Sequence, residues 1–213
     1  DEWMKNNMTN DMTKGNPTKL ILLFSIPLLI GNIFQQFYSM VDTIIVGRFV
    51  GVDALAAVGA TSSMVFLVNG FATGLSSGFA VLVSQRFGAK DEKGLRKAVA
   101  SAITLTVISV VVITIVSLLG AMPLLKLMNT PENIIGDAYL YIKIIYAGVV
   151  ATVAYNLIAS ILRALGDSKT PLYFLIVSSV LNVILDLVFI INFNMGVAGA
   201  AYATIISQGV SAI

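Results

Sequence analysis

Apolar residues fall in six blocks, each long enough for a helix, separated by short polar segments rich in Gly, Asn, Asp, Lys and Pro. A run of about 18 or more apolar residues with few charges reads as a membrane-crossing helix. The blocks predict helices at about 18–47, 54–86, 97–120, 135–163, 171–191 and 196–213, with residues 1–17 as a polar tail. The fold class predicted is therefore all-α and integral to a membrane, with one transmembrane lobe over residues 18–213. Two details interrupt the pattern. Pro27 deletes a backbone hydrogen bond inside the first block and should kink it. Gly70, Gly74 and Gly78 recur at four-residue spacing on the second, a face that would let another helix approach closely, for packing or as a moving hinge face. GAMPLLKLMNTPEN is expected to break the third helix, and the apolar end at Ile213 reads as an unfinished last helix.

Composition sharpens this reading. Only 11% of the 213 residues are charged, against about 25% in a typical soluble chain. The chain has no cysteine and no histidine, which removes disulfides, thiolate metal sites, Cys nucleophiles and imidazole bases. An enzyme is not expected, nor a cofactor or a nucleic-acid partner, and no cleavable signal peptide is evident. Loops on the side of the N-terminus hold Lys5, Lys14, Lys19, Arg86, Lys90, Lys93, Arg96, Lys97, Arg163 and Lys169, whereas the opposite loops hold only Arg48 and Lys126. By the positive-inside rule the N-terminus is expected in the cytoplasm, in a multi-pass cell (inner) membrane protein. The basic stretch Arg86–Lys97 serves as that topology signal, with anionic lipid as a second use. Lys143 is expected to snorkel to the headgroups.

Candidate chemistry rests on two acids. Asp42 and Asp186 are the only carboxylates within an apolar run, Asp137 standing at the edge of its block, and an acid inside such a run costs roughly 2.5–3.5 kcal/mol on insertion scales. Asn182 stands one helical turn before Asp186, so amide and carboxylate share a face. Tyr141 and Thr204 fall at similar depth in the outer half of the membrane. Two carboxylates out of water and close together require a proton or a bound cation, and Asp, Asn and Thr oxygens suit a hard cation such as Na⁺. The alternative is that each acid merely caps or binds a neighbouring helix. The segment after Asp42, as far as Thr61, also echoes the segment from Asp186 to Thr204, as internal repeats in transporters do.

These residues bring a family into view. SIPLLIGNIFQQFYSMVDTIIVGRFVG, DALAAVGA, VSQRFGAKD, RALGDSKTP, the NVILD of the fifth helix and GVAGAAYAT of the sixth together resemble the N-terminal half of a multidrug and toxic-compound extrusion (MATE) transporter. The resemblance implies a twelve-helix protein of two six-helix lobes around a cleft, exporting small cationic amphipathic compounds against Na⁺ or H⁺. It implies a cation or proton site at Asp42, Asn182 and Asp186, with Tyr141 and Thr204 beside them, Na⁺ being one candidate ion, and a conformational hinge at Pro27. It also implies that the partner missing here is a C-terminal lobe: either the chain is a fragment or two copies assemble. The rival readings are a lipid-linked saccharide flippase of the same superfamily, which would want basic residues along its cavity, and a non-transporting membrane assembly subunit.

Overall fold

The computed structural model describes residues 15–212; most of the expected polar tail, residues 1–14, lies outside the described residues. The described chain is helical throughout: α1 (Pro17–Phe49), α2 (Val52–Gly88), α3 (Glu92–Leu127), α4 (Glu132–Ala147), α5 (Val149–Ala164), α6 (Lys169–Leu187) and α7 (Gly196–Ser211), with a π-helical turn, Val188–Asn192, continuing α6. Four of these, α1, α2, α3 and α6 with its π turn, are each long and apolar enough to cross a membrane, and the pair α4–α5 passes the same test as one bent span. The chain is an integral membrane protein.

Local chemistry sets the helix ends. Asn16 caps α1 by accepting from the N–H groups of Thr18 (3.0 Å) and Lys19 (3.5 Å), and Pro17 occupies the first turn, where its missing N–H costs nothing. The α1–α2 turn is made by Gly51 at φ 125°, a backbone state that a side chain would strain. Asp91 caps α3 through the N–H of Gly94, at 2.9 Å.

Three expectations are corrected. The third helix does not break at Gly120: it continues through Pro123 to Leu127. Ala121 and Leu125 are fully buried in the apolar cluster shared with α2, α4 and α5, and that packing outweighs the hydrogen bond lost at Pro123. The expected helix over 135–163 is two helices meeting at Gly148 with a bend of 46°. A Cβ at Gly148 would fall inside the side chain of Ile205 on α7, so glycine lets α7 press against the bend. Last, among the described residues no helix approaches Gly70, Gly74 or Gly78; a Cβ at any of them would meet open space. The buried side of α2 is instead Ala54, Ala57, Thr61, Met64, Val68, Ala72, Ser76 and Val83.

Two apolar cores result. One joins α2, α3, α4 and α5 around Met64, Leu125, Ile142 and Tyr146. The other joins α1, α4, the π turn and α7 around Ile45, Val46, Ile144, Ile190 and Val197, and it includes Tyr141. With α6 packed between α1 and α7, this second core surrounds the functional candidates. Much of the remaining apolar surface, such as Phe66 at 79% and Val116 at 63% exposure, faces outward, as surface turned toward lipid would.

Candidate functional site

The polar groups in the second core come from α1, α4, α6 and α7. Asp186 and Asn182 are each fully buried on α6, one turn apart as the sequence spacing requires. With its amide nitrogen turned toward the carboxylate, Asn182 donates to Asp186 Oδ2 at 3.2 Å, and its oxygen accepts from the backbone N–H of Thr204 at 3.2 Å. One amide thus ties α6 to α7. Asp42 reaches in from α1 to lie close to Asp186. Oδ1 of Asp42 and Oδ1 of Asp186 are both buried without a partner. Two acceptor-only groups that face each other need something between them, a proton or a cation.

Tyr141 lies almost fully buried on α4, within electrostatic range of both acids. Thr204 donates its hydroxyl back to the Ala200 carbonyl at 3.0 Å, which leaves its oxygen as an acceptor or ligand. All five predicted polar residues therefore converge. Sequence reasoning missed one. Tyr38 on α1 lies close to Thr204, Asp42 and Asp186. Its signal was available, since it stands four residues before Asp42 on the same helix face. Thr61, the echo of Thr204, stays out of this set: it is fully buried on α2 with its hydroxyl donating to Val58 O at 2.7 Å. Lys143 lies exposed, its ammonium 5.9 Å from the ring centre of Tyr139.

Among the described residues no three Asp, Glu, His or Cys side chains gather as a metal site. The oxygens here are those of two carboxylates, one amide and neutral hydroxyls. Such a set of hard oxygen donors suits a hard cation or a shared proton.

A cavity of about 400 Å³ opens beside the site. Tyr38 forms part of its wall, as do Pro27, Gln35 and Asn156, and Arg163 and Pro171 lie farther along it. Its polar wall is ordered by internal bonds: Thr152 donates to Gln208 Oε1, Asn156 Nδ2 donates to Thr152 O at 2.8 Å, and the Tyr155 hydroxyl donates to Pro171 O at 3.3 Å. Arg163, expected among the loop cations on the side of the N-terminus, lines one part of this cavity. It stands in the last turn of α5, where the helix dipole favours a cation.

Comparison with known proteins agrees with this architecture. The sequence profile of the MatE family matches residues 27–188. The chain is 40% identical over 202 residues to the "Probable multidrug resistance protein YpnP" of Bacillus subtilis, covering 94% of this chain and 45% of that protein. Among solved structures, a transporter of the MOP superfamily from Pyrococcus furiosus superposes with a TM-score of 0.89 at 33% identity, over 95% of this chain and 44% of that one. MATE structures described as bent and as straight match with TM-scores of 0.85 and 0.86, at 32% and 33% identity, over 96% and 94% of this chain and 46% and 44% of theirs. The chain spans about half the length of the curated relatives it matches. By the extent of that family match and by its fold, the chain belongs to the MatE family.

Proposed function

We propose that this chain is the N-terminal lobe of a secondary active exporter that moves small cationic amphipathic compounds outward in exchange for Na⁺ or H⁺. The observation that carries the reading is the pair Asp42 and Asp186, half-buried and fully buried, with a buried, unpartnered oxygen on each. In the proposed cycle the pair takes up Na⁺ or a proton from outside, and Asn182 and Thr204 transmit the change to the contact between α6 and α7. Helix α1 bends at Pro27, which lines the cavity next to the site, and the altered cavity releases the exported compound. That relatives have been solved in bent and straight conformations supports a bistable lobe. Ion and exported compound are coupled because each prefers a different conformation, and neither can shift the equilibrium by more than its own preference. The available drive is about 2.3 kcal/mol per charge per 100 mV, plus any concentration gradient.

The cytoplasmic N-terminus, the inner-membrane setting and a second lobe that closes the cleft belong to the same proposal. A second lobe would also cover the open glycine face of α2.

Arg163 on the cavity wall favours one other reading, a flippase for lipid-linked anions, since a guanidinium is well suited to a phosphate. Proteoliposomes holding the transporter with both lobes separate the two. Imposed Na⁺ or pH gradients should drive efflux of a fluorescent cationic dye, and the gradient that works names the ion. No dye movement under either gradient, together with translocation of a lipid-linked anion, would replace the exporter with the flippase.

A further inference from the structure

Away from the acid pair, a second cavity of about 410 Å³ lies between the end of α2 and the start of α3. Its wall carries Arg86, Lys93 and Lys97, opposed by a single carboxylate, Asp91. That carboxylate is already committed on both oxygens. Oδ1 accepts from the Gly94 N–H, and Oδ2 pairs with Arg86 Nη1 at 2.9 Å. Lys93 and Lys97 are left one turn apart on α3, exposed, with their charge not matched inside the cavity. A topology signal requires positive charge in the loop and nothing more. Lys90 and Arg96 supply that charge without lining the cavity, whereas the other three cations converge on it.

The surroundings point to the ligand. The cavity lies between two helices that are each long and apolar enough to cross a membrane, so it sits at the membrane surface. Below Lys97 on the same face of α3 come Ser101, which also lines the cavity, and then Leu105, 48% exposed. Leu82 of α2, 45% exposed, forms the opposing wall. From the surface inward the order is ammonium groups, a hydroxyl, then bare apolar side chains. A phospholipid presents the complementary sequence of phosphate, glycerol ester and acyl chain. A soluble anion would use the cations and leave the apolar column without a role.

We propose that this cavity binds an anionic membrane phospholipid, with Lys93 and Lys97 on the phosphate and the acyl chains along Leu82 and Leu105. The transporter with both lobes, purified in mild detergent, is titrated with phosphatidylglycerol or phosphatidylcholine, and the unfolding midpoint is followed. Phosphatidylglycerol should raise the midpoint and phosphatidylcholine should not. The double variant Lys93→Gln/Lys97→Gln should need about thirtyfold more phosphatidylglycerol, from about 1 kcal/mol per basic residue. Lys93→Arg/Lys97→Arg should behave as the parent, and so should Lys126→Gln at the far end of α3. Equal response to both lipids would overturn the proposal, as would an unchanged response in the glutamine pair. A shift reproduced by inorganic phosphate or glycerol phosphate would also overturn it, making this a soluble-anion site. If the glutamine pair fails to fold, native mass spectrometry of the parent in mixed lipid decides: selective retention of phosphatidylglycerol supports the site and equal retention refutes it.

Discussion

At the scale of single residues, Asn182 has the largest structural consequence for its size, because one amide serves both Asp186 on α6 and the backbone of Thr204 on α7. Asn182→Ala would leave a second carboxylate oxygen short of a partner and remove the side-chain tie to the backbone of Thr204. A buried polar group without its partner costs about 1–3 kcal/mol, and polar contacts between membrane helices average nearer 0.6 kcal/mol. The variant should therefore unfold about 1 kcal/mol more easily in a denaturant series and need more coupling ion for half-maximal transport. An unchanged ion requirement would remove Asn182 from the site. Outside the membrane-spanning segments, Asp91 is held below the usual carboxylate range, first by the Gly94 N–H and then by Arg86. Its support for the start of α3 is therefore complete above the ordinary carboxylate pKa and fades as pH falls through its lowered value. The protection of the Gly94 amide against exchange, taken relative to its intrinsic rate at each pH, should fall in acid, and Asp91→Ala should show the low protection at neutral pH as well.

The two acids were legible in the sequence because a carboxylate in an apolar block has so few reasons to be there. Asn182 followed from four-residue spacing on one helix. Tyr141 and Thr204 were placed beside the acids by depth alone, and only the family resemblance gave them a role, since interfacial tyrosines and helical threonines are ordinary. Tyr38 obeyed the same spacing rule toward Asp42 and was hidden only because a tyrosine among Phe34, Phe37 and Met40 reads as apolar.

At the scale of elements, hydrophobic length located the helices, but their breaks were decided by packing that a sequence window does not contain. Pro123 should have ended α3, yet Ala121 and Leu125 are drawn into the core and hold the helix past it. Gly148 gave no sign of bending a continuous span, because the cause is Ile205, 57 residues away on α7. That contact is testable. Gly148→Val should destabilise by about 1–3 kcal/mol through overpacking, and Ile205→Ala in the same chain should recover much of the loss. If the two effects simply add, the contact does not set the bend. Pro27 makes the opposite kind of prediction. Pro27→Ala restores a backbone donor to α1, so the helix should become more protected in amide exchange around residues 23–27. If bending there is part of the cycle, transport should fall while ion binding persists.

At the scale of the whole molecule, one polar site is enclosed where four helices meet, and apolar side chains cover most of the outside. The open face of Gly70, Gly74 and Gly78 and the cavity walled by Pro27 and Gln35 are surfaces that this chain does not close by itself. In the proposed exporter a second lobe closes them, and alternating access depends on the acid pair reporting ion occupancy to that boundary. The most direct test compares parent, Asp42→Asn and Asp186→Asn in proteoliposomes containing both lobes, with dye efflux under an imposed gradient measured beside dye exchange without one. An amide in place of either acid cannot release a proton and binds a cation weakly. The account predicts that gradient-driven efflux disappears in both variants while dye binding is retained. Gradient-driven efflux at the parent rate in either variant would contradict it.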